Sequence, residues 1–139
     1  MKNKPDYWYN QSSVIPFRVT NDNIEVLLIR TKKDKKWIFP KGIIETNLSS
    51  RDSAIKETLE EAGVIGELLE KKIGKYSYKK WGGKCIVNIY GMRVEKVLTV
   101  WEEDFRKRVW VNIENIEEYV TGKKLLSLVE NIKLLLKKD

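Results

Sequence analysis

Apolar residues cluster into two strand-like runs near the start of the chain, Ser13 to Thr20 (SVIPFRVT) and Ile24 to Thr31 (IEVLLIRT). Both predict β-strands, the second largely buried. Asn21-Asp22-Asn23 predicts the turn between them, and Pro16 predicts an edge or a bulge in the first. Residues 1–12 are polar and aromatic and read as an arm or an edge segment. A charged loop, Lys32 to Lys36, leads to a short strand at Trp37 to Pro40 and a loop from Lys41 to Leu48. The period then becomes helical from about Ser50 to Ala62. Ser49 or Ser50 can cap that helix, Asp52 suits its first turn, and Gly63 stands where a left-handed C′ residue is expected. Ile55, Thr58, Leu59 and Ala62 share the predicted packing face.

Beyond the helix, Glu67 to Tyr78 and Lys84 to Val94 predict paired strands around a turn with Gly82-Gly83. Lys96 to Arg106 predicts a loop carrying Glu102, Glu103 and Asp104. Arg108 to Asn112 predicts a short strand, and Ile113 to Val120 a turn or helix. Leu125, Leu128, Val129, Ile132, Leu135 and Leu136 recur at helical spacing with Glu130, Lys133 and Lys137 on the other side, the pattern of an amphipathic helix. Strands around a helix, a hairpin and a last helix predict an α/β (α+β) architecture with a mixed sheet packed between helices. A length of 139 residues suits one domain with a real core.

The helix also carries Glu57, Glu60 and Glu61. At 100° per residue the three carboxylates fall within a sector roughly 100° wide. Glu57 and Glu61 at i,i+4 repel by a few tenths of a kcal/mol, and nothing local compensates fully, which points to a cation. Composition narrows the choice of cation. The chain has no histidine and one cysteine, which excludes Ser-His-Asp and Cys-His catalysis, His-ligated zinc, an internal disulfide and a thiolate cluster. Cys85, flanked by Ile86-Val87, reads as a small core hydrophobe. A metal must therefore be held by oxygen, and carboxylates suit Mg²⁺ or Mn²⁺.

Lys and Arg total 27 against 20 acids, a formal +7. A basic chain with an acidic cluster suits a polyanion bridged by divalent ions. No apolar run approaches the ~20 residues of a membrane span, and no apolar signal region follows Met1 to Asp6, so a cytoplasmic location and no membrane partner are expected.

Gly42 to Val64 (GIIETNLSSRDSAIKETLEEAGV) resembles the conserved box of the Nudix hydrolase family, which runs Gly, five residues, Glu, seven residues, then Arg-Glu-aliphatic-x-Glu-Glu-x-Gly-aliphatic. Gly42 matches its first residue, and Lys56-Glu57-Thr58-Leu59-Glu60-Glu61-Ala62-Gly63-Val64 lies in register with its second half. The lead-in Trp37-Ile38-Phe39-Pro40-Lys41-Gly42 and Glu45 fit as well. The chain departs from the box at three places: Leu48 replaces the first Glu, Lys56 the Arg, and Thr58 the aliphatic residue. Lys56 keeps the charge and loses the planar fork with which an Arg orients the neighbouring glutamate.

The resemblance implies an α/β/α sandwich over the whole chain and Mg²⁺-dependent (or Mn²⁺-dependent) hydrolysis of a phosphoanhydride in a nucleoside or inositol polyphosphate. Val97 to Ile116 and the lead-in look like the diphosphoinositol and dinucleoside polyphosphate hydrolase branch, so a diadenosine polyphosphate is favoured. It also implies Glu57, Glu60 and Glu61 as metal ligands, with a carbonyl near Lys41 or Gly42, and Lys56 as the orienting residue. The base is Glu57, or Glu103 or Asp104 from the distant loop.

Arg18, Arg30 and Lys41 lead toward the site and could reach phosphates; Lys79, Lys80, Lys84, Arg106, Lys107 and Arg108 are further basic candidates. Tyr76, Tyr78, Trp81 and Tyr90 could stack a base, against core packing as the commoner use. Two alternatives stand beside the enzyme: a nucleotide-binding module weakened by Leu48 and Lys56, and an RNA 5′-end pyrophosphohydrolase favoured by the charge.

Overall fold

A computed structural model describes residues 10–80 and 82–137. Of the expected arm or edge segment at residues 1–12, residues 1–9 lie outside them, while Asn10 to Ser12 open the first strand and are paired on both sides in the sheet, with Gln11 opposite both Ile43 and Val87. The strands are β1 Asn10–Thr20, β2 Asn23–Arg30, β3 Trp37–Ile38, β4 Lys41–Ile43, β5 Val64–Leu68, β6 Gly74–Lys80, β7 Gly83–Val97 and β8 Arg108–Asn112. The helices are α1 Ser50–Ala62 and α2 Lys123–Lys137, with a 3-10 helix at Ile113–Glu118.

β1 is the spine of a mixed sheet. One edge pairs in parallel with β7, from Asn10 opposite Ile86 to Phe17 opposite Arg93. The other edge is shared: β4 pairs antiparallel with Gln11 to Ser13, and β2 with Phe17 to Thr20. Pro16 therefore sits on an internal strand, not at an edge or in a bulge. Val14 donates its N–H to Pro40 O at 3.0 Å. Two residues on, Pro16 faces the same edge in the gap between β4 and β2, where its missing N–H costs no ladder bond.

Lys41 to Ile43, expected as loop, is a strand because it pairs with β1. The expected strand from Glu67 to Tyr78 is two strands, both antiparallel to β7. The chain leaves the ladder between Leu69 and Ile73, and both side chains fold back over Gly91, where an added Cβ would lie 3.0 Å from Leu69 Cδ1. The intervening Glu70, Lys71 and Lys72 are kept at the solvent side, which separates the strands.

Side chains alternate across the sheet and build a core on each face. Ile15, Phe17, Val26, Leu28, Val87 and Ile89 point toward Val129 and Ile132 of α2. Val14, Leu27, Ile29, Tyr90 and Met92 point toward Ala54 and Ala62 of α1. The expected α/β/α layering follows. The packing face of α1 differs from the expected one: Thr58 and Ala62 are buried, but Ile55 and Leu59 are 40% and 38% exposed, and Glu61 is 8% exposed. The residues turned toward the sheet are small, and Thr58 returns its hydroxyl to Ala54 O at 2.7 Å. The helix is thereby rotated so that Glu61 goes beneath it. Among the described residues no helix is long and apolar enough to cross a membrane.

Candidate active site

Both ends of α1 are anchored by side chains from distant elements. Ser49, not Ser50, is the N-cap and accepts from Asp52 N at 3.0 Å. Ser50 Oγ instead accepts from the Tyr90 hydroxyl at 2.8 Å and lies 2.8 Å from Ser12 Oγ, which ties the first turn to β7 and β1. At the other end Gly63 adopts φ 66° and closes on Leu59 O. Glu103 N donates to Glu60 O at 2.9 Å, Trp101 Nε1 to Glu61 O at 3.1 Å, and Arg108 Nη1 to Ala62 O at 2.9 Å. The terminal carbonyls that a helix leaves without intrahelical partners are thus met by the segment before β8 and by the first residue of that strand. Trp101 packs so close to Gly63 that a Cβ there would lie 2.6 Å from its Cγ. Arg108, a phosphate candidate by sequence, is engaged as a cation at the helix C-terminus and lies 3.7 Å over the Trp101 ring.

With the helix fixed, Glu57 and Glu61 converge on β4. A Cβ on Gly42 would fall 2.3 Å from Glu57 Cδ, so only glycine admits this approach. Glu61 Oε1 accepts from Lys41 N at 3.2 Å. Burial, then the hydrogen bond and charge of Glu57, push the Glu61 carboxyl up to about 8. Burial also raises Glu57, opposed by its hydrogen bond from Glu61, and Glu60 and Glu103 add repulsion. One proton shared between the buried Glu61 and the half-buried Glu57 is the chemical content of these shifts.

Glu60 is held differently. Lys56 Nζ reaches Glu60 Oε1 at 2.8 Å and Glu45 Oε1 at 2.9 Å, and the two carboxylates raise the lysine. Glu45 thus gives Lys56 an acidic partner in a segment where Leu48 supplies none. Among the described residues no three carboxylates form a ready-made metal cage. The donors that do meet are the Glu57–Glu61 pair beside the backbone of Lys41 and Gly42, and Glu60 would join by turning off Lys56. An all-oxygen donor set with excess buried negative charge fits Mg²⁺ or Mn²⁺.

The loop carboxylate Glu103 stands at the same place: its backbone is bonded to Glu60, and it acts on the charge of Glu57 and Glu61. Arg106 Nε holds it at 2.9 Å and Arg106 Nη1 reaches Arg30 O at 3.3 Å. Lys41 Nζ lies 3.4 Å from the Tyr78 hydroxyl, which donates to Gln11 Oε1 at 2.7 Å. Arg30 ends β2 beside Trp37, 5.7 Å from its ring centroid.

Other sequence candidates are set apart. Arg18 pairs with Glu25 at 2.8 Å and covers Trp110 at 4.0 Å, five residues beyond the β4 register, or about 16 Å along β1. Lys84 faces Lys79 across the hairpin and, with Tyr78, lines a pocket at its tip. Tyr90 is buried against α1, and Cys85 is buried in the sheet. Trp81 and the side chain of Lys80 lie outside the described residues.

A cleft of about 450 Å³ adjoins Lys41, walled by Trp37, Phe39, Tyr76 and Tyr119. Trp37 and Tyr119 meet edge to face, with ring centroids 6.2 Å apart. Larger pockets of about 590 and 630 Å³ sit away from the glutamates, one around Asp22, Glu114 and Lys133 and the other at the hairpin tip.

Known proteins share this frame. Nudix hydrolase 4 of Arabidopsis thaliana is 40% identical over 98 residues, covering 68% of this chain and 47% of the relative. The chain thus spans about half the length of that relative. Diphosphoinositol polyphosphate phosphohydrolase 3-beta of Bos taurus is 26% identical over 114 residues, covering 80% of this chain and 68% of the relative. The C. elegans Ap4A hydrolase crystal structure, a binary complex, superposes with a TM-score of 0.80 at 19% identity, covering 94% of this chain and 99% of that one. The NUDIX domain profile matches residues 10–129. The chain belongs to the Nudix family.

Proposed function

We propose that this chain hydrolyses a phosphoanhydride bond of a nucleoside or inositol polyphosphate, diadenosine polyphosphates being favoured, with Mg²⁺ or Mn²⁺ held by Glu57, Glu61 and Glu60 next to Gly42. The observation that carries this is the pairing of the half-buried Glu57 with the buried Glu61, pressed against a glycine backbone. When bound, a divalent ion neutralises phosphate oxygens and acidifies its water. The residues of the chain do the rest. Gly42 lets Glu57 approach the loop backbone. Lys56 steadies Glu60. Lys41 and Arg30 offer charge to the phosphates. Glu103, positioned by Arg106 and by the bond to Glu60, is the base favoured over Asp104, with Glu57 as the other candidate.

The aromatic cleft beside Lys41 favours a substrate with a planar base, because stacking on Trp37 or Tyr119 is worth roughly 1–3 kcal/mol per base. The runner-up is a nucleotide sensor, favoured by the hold of Lys56 on Glu60 and by Leu48. Incubating the protein with diadenosine polyphosphates, nucleoside triphosphates, diphosphoinositol phosphates and 5′-triphosphate RNA, each with Mg²⁺, Mn²⁺ or chelator, tests both. Turnover that needs metal and falls sharply in Glu61→Gln supports the enzyme. Tight binding without turnover selects the sensor.

A further inference from the structure

Next to the aromatic cleft, and joined to the glutamate site by the Arg106–Glu103 pair, Arg30, Lys32, Lys35, Arg106 and Lys107 line one pocket of about 230 Å³ with Phe105. Five cations around so small a space repel one another, and among the described residues the carboxylate that engages them is Glu103, on Arg106. The pocket is also built rather than incidental. Lys35 holds a left-handed backbone at φ 52°, a conformation that costs a residue with a side chain. It is kept there by Arg30 Nε bonded to Lys35 O at 3.3 Å, by Thr31 N bonded to Lys36 O at 2.8 Å, and by Lys36 N bonded to Thr31 Oγ1 at 2.8 Å. Arg30 N in turn donates to Lys107 O at 3.0 Å, which joins the two walls. Phe105 remains 58% exposed, with Lys32 Nζ 5.3 Å and Arg106 Cζ 5.5 Å from its ring centroid.

We propose that this pocket is a second anion subsite, which takes the phosphates of a polyphosphate chain distal to the bond that is cleaved. The inference rests on the hydrolase reading and adds a preference for chain length. The pocket meets the glutamates through Arg106 and Glu103, and it meets the aromatic cleft through Lys35, which lines both. A chain of several phosphates can therefore reach from Lys41 and Lys35 of the aromatic cleft to the cations of this pocket. A diphosphate offers fewer phosphates for the same set of contacts. Arginine and lysine clusters recognise phosphate by charge-assisted hydrogen bonds, and multiple phosphates on one chain make the contacts cumulative.

Inorganic tripolyphosphate in chelator reads this pocket without the metal site. Calorimetric titration should show binding that weakens about tenfold or more in the double variant Lys32→Ala/Lys107→Ala, both surface lysines, and that is unchanged in Glu57→Gln. With Mg²⁺, the same double variant should raise KM for a nucleoside tetraphosphate and leave KM for a nucleoside diphosphate unaltered. No tripolyphosphate binding, binding indifferent to the double variant, or equal KM changes for long and short chains would each overturn the subsite. The hydrolase reading fails by a different outcome, the absence of metal-dependent turnover in the unmodified protein.

Discussion

The shared proton at the Glu57–Glu61 pair makes the stability of the metal-free protein depend on pH in a definite direction. Burial raises both carboxyls above their ordinary value; the hydrogen bond and charge of Glu57 add to it at Glu61, which reaches about 8, and repulsion from Glu60 adds to it at Glu57. In the unfolded chain both titrate near 4.5. Below that value folded and unfolded states are protonated alike, and the contribution of the pair is fully present. As pH climbs through the folded value, the native state must give up a proton that it holds more tightly than the unfolded chain does, and the contribution is lost. At about 1.4 kcal/mol per unit, the Glu61 shift sets an upper limit near 5 kcal/mol. Because the pair titrates as a unit, the expected loss is smaller, on the order of 2–4 kcal/mol between pH 5 and 9.

The assay is thermal unfolding in chelator across that range, run beside Glu61→Gln. The amide keeps the shape and a donor for Glu57 but carries no titrating proton, so the difference between the two curves isolates the pair from the other charges of a +7 chain. For a domain of this size 2–4 kcal/mol amounts to roughly 10 °C in Tm. The unmodified protein should lose about that much relative to Glu61→Gln at pH 9 and nothing at pH 5. Mg²⁺ should restore the loss at pH 9, have little effect at pH 5, and have little effect on Glu61→Gln at either. Parallel Tm profiles for the two proteins in chelator would refute the argument that Glu61 holds a proton by burial and by Glu57.

Three other substitutions test separate parts of the site. Gly42→Ala needs no unusual backbone angle but puts a Cβ 2.3 Å from Glu57 Cδ; Tm should move by less than about 1 kcal/mol equivalent, while turnover falls about a hundredfold because the carboxylate is displaced by about 1 Å or more. Arg108→Met removes the hydrogen bond to Ala62 O and the cation over Trp101, so urea unfolding should show a loss of about 1–3 kcal/mol, whereas unchanged stability would mean that the helix end needs no cation. Glu45→Ala frees Lys56 from one of its two carboxylates; Tm should barely change, as for other exposed pairs, and the Mg²⁺ concentration for half-maximal turnover should shift by a few fold.

The glutamate helix was legible because its signals are local: the capping serine, Gly63 and the carboxylate spacing lie within a few residues of one another. The two-faced sheet was legible for a similar reason, since the apolar runs of β1 and β2 and the apolar stripe of α2 need no partner to be read. The misreadings concern partners. Lys41–Ile43 has the composition of a loop and becomes a strand through pairing with β1. Pro16 looks like an edge residue and sits internally, because the junction of two partner strands leaves a place with no acceptor to satisfy. Ile55 and Leu59 are more apolar than Ala54 or Thr58, yet the sheet leaves room only for the smaller pair, and size decided the face.

Within the site, the wheel angle of three carboxylates was available from spacing, but their unequal fates were not. Turning α1 so that Thr58 and Ala62 meet the sheet carries Glu61 under the helix and Glu57 against Gly42. Glu60 is left at the rim within reach of Lys56, one turn earlier. The repulsion that spacing predicts is therefore relieved in two ways, by a proton on the inner pair and by a lysine on the outer member. Both are monovalent and both are displaceable. A divalent cation that draws in all three glutamates must compete with that proton and with Lys56, so its apparent affinity should rise with pH until the pair is ionised. Glu45 sets the other half of the competition: by holding Lys56 when Glu60 turns inward, it keeps the lysine from following, which gives the acidic residue three positions after Gly42 a role that the lost carboxylate at Leu48 cannot fill.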